Sequence, residues 1–299
     1  GDFKSALARL REVRPRVETL LGPTSTEALT TLSCLASAHR QLGQYKEAIV
    51  LYRQALAGQE AQHGKGHVAT LEAMRSLGGA LYLSGALAEA LPVLESASKL
   101  SVELNGPRHD RTLNSLSDLA LVKQDLKDYP GAEALMLSTL EVRGAEYGKD
   151  SADYRTLLNN LGVLYGDMGD PVRQHQYLAQ GCAAEKAASG PSSPDTLICH
   201  HNLARALVDL KRYAEAAALE QETMALAEPV FGAEHAYMGV FRYTHAAALG
   251  YLGRTRASEQ QFGEAIALLD KVLGPGNERT AKAIELRDKV RAAMGAEKN

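Results

Sequence analysis

The stretch Gly43-Gln44-Tyr45-Lys46-Glu47-Ala48 recurs as Gly85-Ala86-Leu87-Ala88-Glu89-Ala90, as Lys127-Asp128-Tyr129-Pro130-Gly131-Ala132 and as Lys211-Arg212-Tyr213-Ala214-Glu215-Ala216. The interval is 42 residues, with the last step taken twice. The missing member falls at Gly169, and the register runs forward to Gly253 and Gly295 and back to Gly1-Asp2-Phe3-Lys4-Ser5-Ala6 without insertion or deletion. A second glycine series keeps the same period at Gly22, Gly64, Gly106, Gly148, Gly190, Gly232 and Gly274. A residue free to take positive φ at a fixed place after an amphipathic run is what a helix C-terminus needs. Three residues beyond each stand Ser25, His67, His109, Ser151, Ser193, His235 and Asn277. Ser and Asn are strong helix N-caps, and a histidine ring nitrogen can accept a backbone N–H in the same role.

Each period therefore predicts two helices, A and B, of roughly 16 residues, joined by a tight turn at the first glycine series. Apolar residues on helix A recur at three- or four-residue spacing, as in Leu32 and Leu35, Met74, Leu77 and Leu81, Leu116 and Leu119, and Leu158, Leu161 and Tyr165. Small residues hold one site throughout: Ala36, Gly78, Ala120, Gly162, Ala204 and Ala246. A single pair cannot bury its apolar stripe, but stacked pairs can.

The pattern Leu161-Gly162, Tyr165, Gly169 on helix A and Gly43-x-Tyr45-x-x-Ala48 at the start of helix B resembles the tetratricopeptide repeat. The usual period of that repeat is 34. The 42-residue period and the string Leu157-Leu158-Asn159-Asn160-Leu161-Gly162-Val163-Leu164-Tyr165 are similar to its kinesin-light-chain type. The resemblance implies an all-α fold, a right-handed superhelical α-solenoid of antiparallel helix pairs. The expected organisation is one solenoid over 1–299: helix B of a truncated repeat at 1–22, full repeats at 23–64, 65–106, 107–148, 149–190, 191–232 and 233–274, and a capping helix at 275–299. Arg14-Pro15 is expected to kink or interrupt the first helix. The last helix is expected to turn Ile284 and Val290 inward. A start in mid-repeat suggests a chain cut from something longer, with further domains on the same polypeptide.

Composition narrows the function. There are 33 Lys and Arg against 36 Asp and Glu, so no basic excess exists to neutralise a phosphate backbone, and nucleic acid is not an expected partner. No run approaches the roughly 20 apolar residues a membrane span needs. Three widely spaced cysteines, Cys34, Cys182 and Cys199, favour a reducing, cytoplasmic setting over a disulfide framework. Cys182 falls on the helix B core position of Leu56, Leu140 and Ile266 and reads as a buried, inert thiol.

The histidines largely dissolve into the repeat. His67, His109 and His235 are caps, and His39 is a packing residue at the site of Leu81 and Tyr165. Cys199-His200-His201 is the one cluster with metal-ligand chemistry, but adjacent helical residues point about 100° apart and do not converge on one ion. No phosphate-cradling loop, nucleophile elbow or zinc helix occurs. Catalysis, a metal and a cofactor are therefore not expected; Cys199 and His201 would be the best residues for an enzymatic reading.

What remains is surface. The resemblance implies that A helices line a concave face, whose inner strip reads Glu72, Arg75, Ser76 and Gly79, then Asn114, Ser117, Asp118 and Leu121, then Thr156, Asn159, Asn160 and Val163, then Ile198, His201, Asn202 and Arg205. A side-chain amide can both donate to and accept from a peptide backbone. The resemblance implies that Asn159, Asn160 and Asn202 grip ligand backbone while Arg75 and Arg205 select acidic groups and Asp118 basic ones. The competing account is a solvated polar helix face. The candidate peptide-binding set is thus Arg75, Asn114, Asp118, Asn159, Asn160, His201, Asn202 and Arg205. The expected function is a non-catalytic scaffold that binds a protein or peptide in its groove. The alternative is the sensor arm of a larger signalling protein: a kinase, an ATPase switch or a transcription regulator. Arg242 and His245, where other repeats have Leu, and Pro171, Val172 and Gln174 after Gly169 should weaken local packing, as a hinge, a docking face or plain degeneration.

Overall fold

A computed structural model describes residues 2–274 and 276–296, the side chains of 295 and 296 excepted. The described chain is an α-solenoid of fourteen helices. They fall into two compact units, residues 1–146 and 147–299. The first holds α1 (Phe3–Leu21), α2 (Thr26–Gln41), α3 (Tyr45–His63), α4 (Val68–Leu83), α5 (Leu87–Asn105), α6 (Asp110–Asp125) and α7 (Tyr129–Glu146). The second holds α8 (Ala152–Asp167), α9 (Pro171–Ser189), α10 (Pro194–Asp209), α11 (Tyr213–Phe231), α12 (Ala236–Tyr251), α13 (Thr255–Leu273) and α14 (Glu278–Ala296).

The A helices α2, α4, α6, α8, α10 and α12 each have 16 residues, as expected. The B helices are longer, 19 residues in α1, α3, α5, α9, α11 and α13 and 18 in α7. Every A-to-B turn is a Schellman closure, in which the N–H one residue past the landmark reaches back five residues. Gln44 bonds the His39 carbonyl at 2.9 Å, Asp128 that of Lys123 at 2.8 Å and Arg212 that of Leu207 at 2.8 Å. The geometry demands positive φ at the landmark, so Lys127 and Lys211 adopt it at 65° and 60°. All seven glycines of the second series lie between 83° and 89°.

The caps form as read. The Nδ1 atoms of His67, His109 and His235 accept the backbone N–H two residues on, at 3.1, 3.1 and 3.2 Å. Ser25, Ser193 and Asn277 cap at 3.2, 3.1 and 2.9 Å. Ser151 departs, its hydroxyl donating to the Gly148 carbonyl at 2.8 Å instead.

The small helix A site is where helix B leans in. A Cβ on Gly78 would lie 2.4 Å from a Leu94 methyl, and one on Gly162 the same distance from Leu178 Cγ. Ala36, Ala48, Tyr52, Leu77, Leu81 and Leu94 belong to one buried cluster of the first unit. Ala246, Phe262, Ala265, Leu269, Ala283 and Val290 form another in the second.

Several expectations change. α1 runs unbroken through Pro15, whose ring lies on the exposed side, and Arg14 Nε bonds Glu18 at 2.7 Å across it. In α14, Val290 is buried but Ile284 is exposed; Ala283, one residue earlier, takes the inward place. That helix also runs past the landmark at Gly295. The divergent segments pack rather than loosen. Pro171 takes the first helical position after the Asp170 cap, and Gln174 is buried against Gly166, where a Cβ would meet its amide at 2.7 Å. His245 is buried and bonds Gln261 at 2.7 Å, and α12 is buried almost throughout because α11, α13 and α14 surround it.

Cys182 and Cys199 are not inert thiols. They form a disulfide joining α9 to α10, with Cα atoms 5.4 Å apart, because helix B and the next helix A pack closely enough for their β-carbons to face. This removes the cysteine argument for a reducing compartment and leaves Cys34 as the free, exposed thiol among the described cysteines.

Candidate functional site

The inner strip is a ladder. In the first unit Arg75 Nη2 bonds Asp118 Oδ2 at 3.0 Å, and in the second Asn202 Nδ2 bonds Asn159 Oδ1 at 3.0 Å. Both rungs join a residue to the one 43 positions later, one repeat on and one step along the helix. Charges expected to select opposite ligand groups therefore neutralise each other. Burial pushes the Asp118 carboxyl up, against the pull of Arg75. Asn114 is also engaged: it accepts from Arg143 at 2.6 Å and donates to Asp110 at 3.1 Å, while Arg143, only 2% exposed, bonds Asp110 at 2.9 Å. Asn160 is half-buried and makes no side-chain bond among the described residues.

The next rung of the second unit, His201 to Thr244, is missing. His201 Nδ1 turns away to Glu220 at 2.6 Å, in a pair with side chains 8% and 0% exposed. Thr244 Oγ1 is left buried without a partner. Glu220 stands at the helix B position that is Tyr52, Leu94, Met136, Leu178 and Phe262 in the other repeats. It is a carboxylate in a core slot, and its Oε2 has no bond. The rings of Phe241 and Tyr243 lie 5.3 and 6.5 Å from that of His201.

Where the rung is lost, a cavity of about 550 Å³ opens among α10, α12 and α14, lined by His201, Asn202, Arg205, Tyr243, Thr244 and Arg279, with others. Arg205 is exposed and makes no salt bridge among the described residues, but Asp209, one turn on, lines the same cavity, its carboxyl pushed up by burial against the pull of Arg205. Arg279 makes none either, its guanidinium lying 5.4 Å from the centre of the Tyr237 ring. Burial pushes the Tyr243 hydroxyl up, while Arg205, Lys282 and Arg279 draw it down, so three cations lie within electrostatic reach of one phenol. Lys282 and Lys289 carry one-turn partners, Glu278 and Glu285, both at 2.7 Å and well exposed.

Of the eight residues proposed from sequence, the cavity gathers His201, Asn202 and Arg205 and leaves the others outside. Tyr243, Thr244, Arg279 and Glu220 were missed. Glu220 carried a legible signal, an acid in an otherwise apolar column; the others lie on α12 and α14, beyond the strip considered. The Cys199-His200-His201 run does not converge. Cys199 is in the disulfide, His201 pairs with Glu220, and His200 is buried, its imidazole held below the ordinary 6.5 by burial first and by Lys186 second. With its sulfur bonded, Cys199 offers no nucleophile in this state.

Comparison with known proteins agrees with the fold. One tetratricopeptide repeat profile matches residues 1–61, 27–101 and 111–186, and a second matches 196–237. The human clustered mitochondria protein homolog is 25% identical over 195 residues, which is 65% of this chain and 15% of that protein. The chain thus spans a small part of the curated relatives it matches. A putative kinesin light chain of Podosopora anserina with nearly identical repeats is similar in structure, with TM-score 0.59, 23% identity and coverage of 67% of this chain and 95% of that one. A Rap protein complexed with competence and sporulation factor has TM-score 0.64 at 13% identity, covering 97% and 86%. With most of its length matched and its 42-residue period carried by real helix pairs, the chain belongs to the tetratricopeptide repeat family.

Proposed function

We propose that this chain is a non-catalytic interaction module that holds a peptide or protein segment in the groove among α10, α12 and α14. The carrying observation is the broken rung: His201 turns to Glu220 instead of Thr244, and the cavity beside it is lined by Arg205, Arg279, Lys282 and Lys289 against the two acids Asp209 and Glu285. This excess of cations over acids, beside the rings of Tyr237 and Tyr243, favours a segment with anionic character. Asn202 flanks the same cavity and remains a candidate for ligand backbone. The Rap protein of similar fold, complexed with competence and sporulation factor, supports a binding role for such a solenoid. The test is affinity capture with the wild-type chain and with Arg205→Ala/Arg279→Ala, and an Arg75→Ala/Asp118→Ala chain as control. Specific partners should be lost with the first pair and kept with the second; equal recovery on all three refutes this groove.

A second reading, the regulatory arm of a larger signalling protein such as a kinase, an ATPase switch or a transcription regulator, is favoured by the small share of its curated relatives that the chain spans. An effector domain in the full-length gene whose activity responds to Arg205→Ala would support it.

A further inference from the structure

Glu220 is hard to explain as packing. Burying a carboxylate in a column of Tyr, Leu, Met and Phe costs stability, and one oxygen is left without a bond. What it does is place the proton of His201. An ionised carboxylate only accepts, so at 2.6 Å from Glu220 the His201 Nδ1 carries the hydrogen and donates it. In the neutral ring this leaves a lone pair on Nε2. Thr244 Oγ1 and His200 Nδ1 are sealed in without partners. His201 Nε2, also without a partner among the described residues, is not closed off in that way and belongs to a side chain that lines the cavity. Asn202, the next residue of α10, donates from Nδ2 to Asn159, which leaves its Oδ1 as a second acceptor on the same lining. Acceptors thus come from α10, while α14 brings the cations Arg279, Lys282 and Lys289.

We infer that His201 Nε2, kept bare by Glu220, accepts a backbone N–H of an extended acidic segment in this groove, with the main chain of the segment along α10 and its acidic side chains turned to α14. The donor is neutral because Arg205, Arg279, Lys282 and Lys289 outnumber Asp209 and Glu285 around the cavity and repel an ammonium or a guanidinium. A backbone N–H is the neutral donor that an extended segment carries at every residue except proline. Glu220 is a positioning residue, since it acts through His201 and does not line the cavity. The inference rests on the groove being the binding site for an anionic segment, and removal of single N–H groups from a peptide tests the acceptor separately from that reading.

The experiment uses the full chain and an acetylated, amidated hexapeptide of alternating Asp and Ala, together with its single-ester analogues, each of which lacks one backbone N–H. Calorimetric titration should show one analogue binding about tenfold more weakly than the parent, as the loss of one hydrogen bond at a shielded acceptor requires. Nitrogen chemical shifts of the His201 ring near neutral pH should place a proton on Nδ1 and none on Nε2. Glu220→Leu restores the apolar residue type of the other repeats and frees the proton to move to Nε2. It should raise the melting temperature, weaken the parent peptide about tenfold and remove the penalty of that ester. His201→Phe/Glu220→Leu, which sets a ring that cannot accept against an apolar side chain, should do the same without unfolding. Esters that all bind as the parent does, a proton on Nε2 in the wild-type chain, or an ester penalty that survives in the double variant each overturn the inference. So does a joint loss of stability and affinity in both variants, which reduces the pair to a structural element. Failure of the Asp and Ala peptide to bind, while Arg205→Ala/Arg279→Ala still abolishes partner capture, rejects the acceptor and leaves the groove standing. Equal binding of the matching Lys and Ala hexapeptide refutes the anionic groove, and the inference with it.

Discussion

Replacing Gly78 with Ala tests how the repeat is built. In an ordinary helix interior this change gains about 1 kcal/mol from propensity. Here the new methyl would stand 2.4 Å from Leu94 Cδ2 and 2.6 Å from its Cγ. The terminal methyl could rotate aside, but Cγ is the branch point, and Leu94 is 1% exposed, so it can retreat only by moving the helix. Overpacking of this kind costs about 1–3 kcal/mol, and contact at the branch point argues for the upper half, leaving a net loss of about 1–2 kcal/mol. The chain carries its own control. The small site faces the residue sixteen positions later, and glycine is used opposite Leu94 and Leu178, whereas alanine is used opposite Tyr52, Met136, Glu220 and Phe262. None of these four branches at Cγ into two tetrahedral methyls. Gly78→Ala/Leu94→Met, copying the Ala120 and Met136 pair, should therefore recover the loss, with a coupling of about 2 kcal/mol in a double-mutant cycle. Urea denaturation of the four chains, read by circular dichroism, measures it. If Gly78→Ala alone is stabilising by about 1 kcal/mol and the two changes add, the steric argument is wrong.

Further outcomes follow from the same geometry. Lys127→Gly and Lys211→Gly should each stabilise by about 1 kcal/mol, because both residues carry positive φ that costs an L-residue about 1–2 kcal/mol; thermal melts would show it. His67→Ala should cost about 1 kcal/mol through the lost cap, whereas His67→Ser should be near neutral by chemical denaturation. His200 resists protonation when folded, whereas the unfolded imidazole takes up a proton near 6.5, so its contribution is intact above that pH and falls away as pH drops through the depressed folded value. His200→Leu, the residue type of Leu158 and Leu116, should flatten this part of a stability profile between pH 7 and 4. Reduction of the Cys182–Cys199 bond, whose residues are 17 apart, should cost up to about 3 kcal/mol, and Cys182→Ser should abolish the difference between oxidised and reduced melts.

The helix pairs, their order, the turn positions and the caps were legible in the sequence because each depends on local physics that repeats every 42 residues. Positive φ at a landmark, a cap three residues past a glycine and an apolar stripe are properties of short windows, and seven copies make them plain. Pro15, Ile284 and the divergent segments at Gln174 and His245 read differently because neighbouring helices decide whether a local irregularity is exposed, partnered or disruptive. The candidate strip was legible as a set of polar helix A positions. Whether its members face a ligand or each other was not, since Arg75 reaches Asp118, and Asn202 reaches Asn159, only through the offset between stacked repeats.

By itself, then, the sequence determined the family, the register and the list of polar candidates, because periodicity encodes all three. Only the tertiary structure decided that half of those candidates satisfy one another, that Cys182 meets Cys199, and that Glu220 draws His201 away and leaves a cavity beside Arg205 and Arg279. Those outcomes turn on distances of 2 to 3 Å between helices. The packing of one helix against the next sets such distances, and no single repeat contains them.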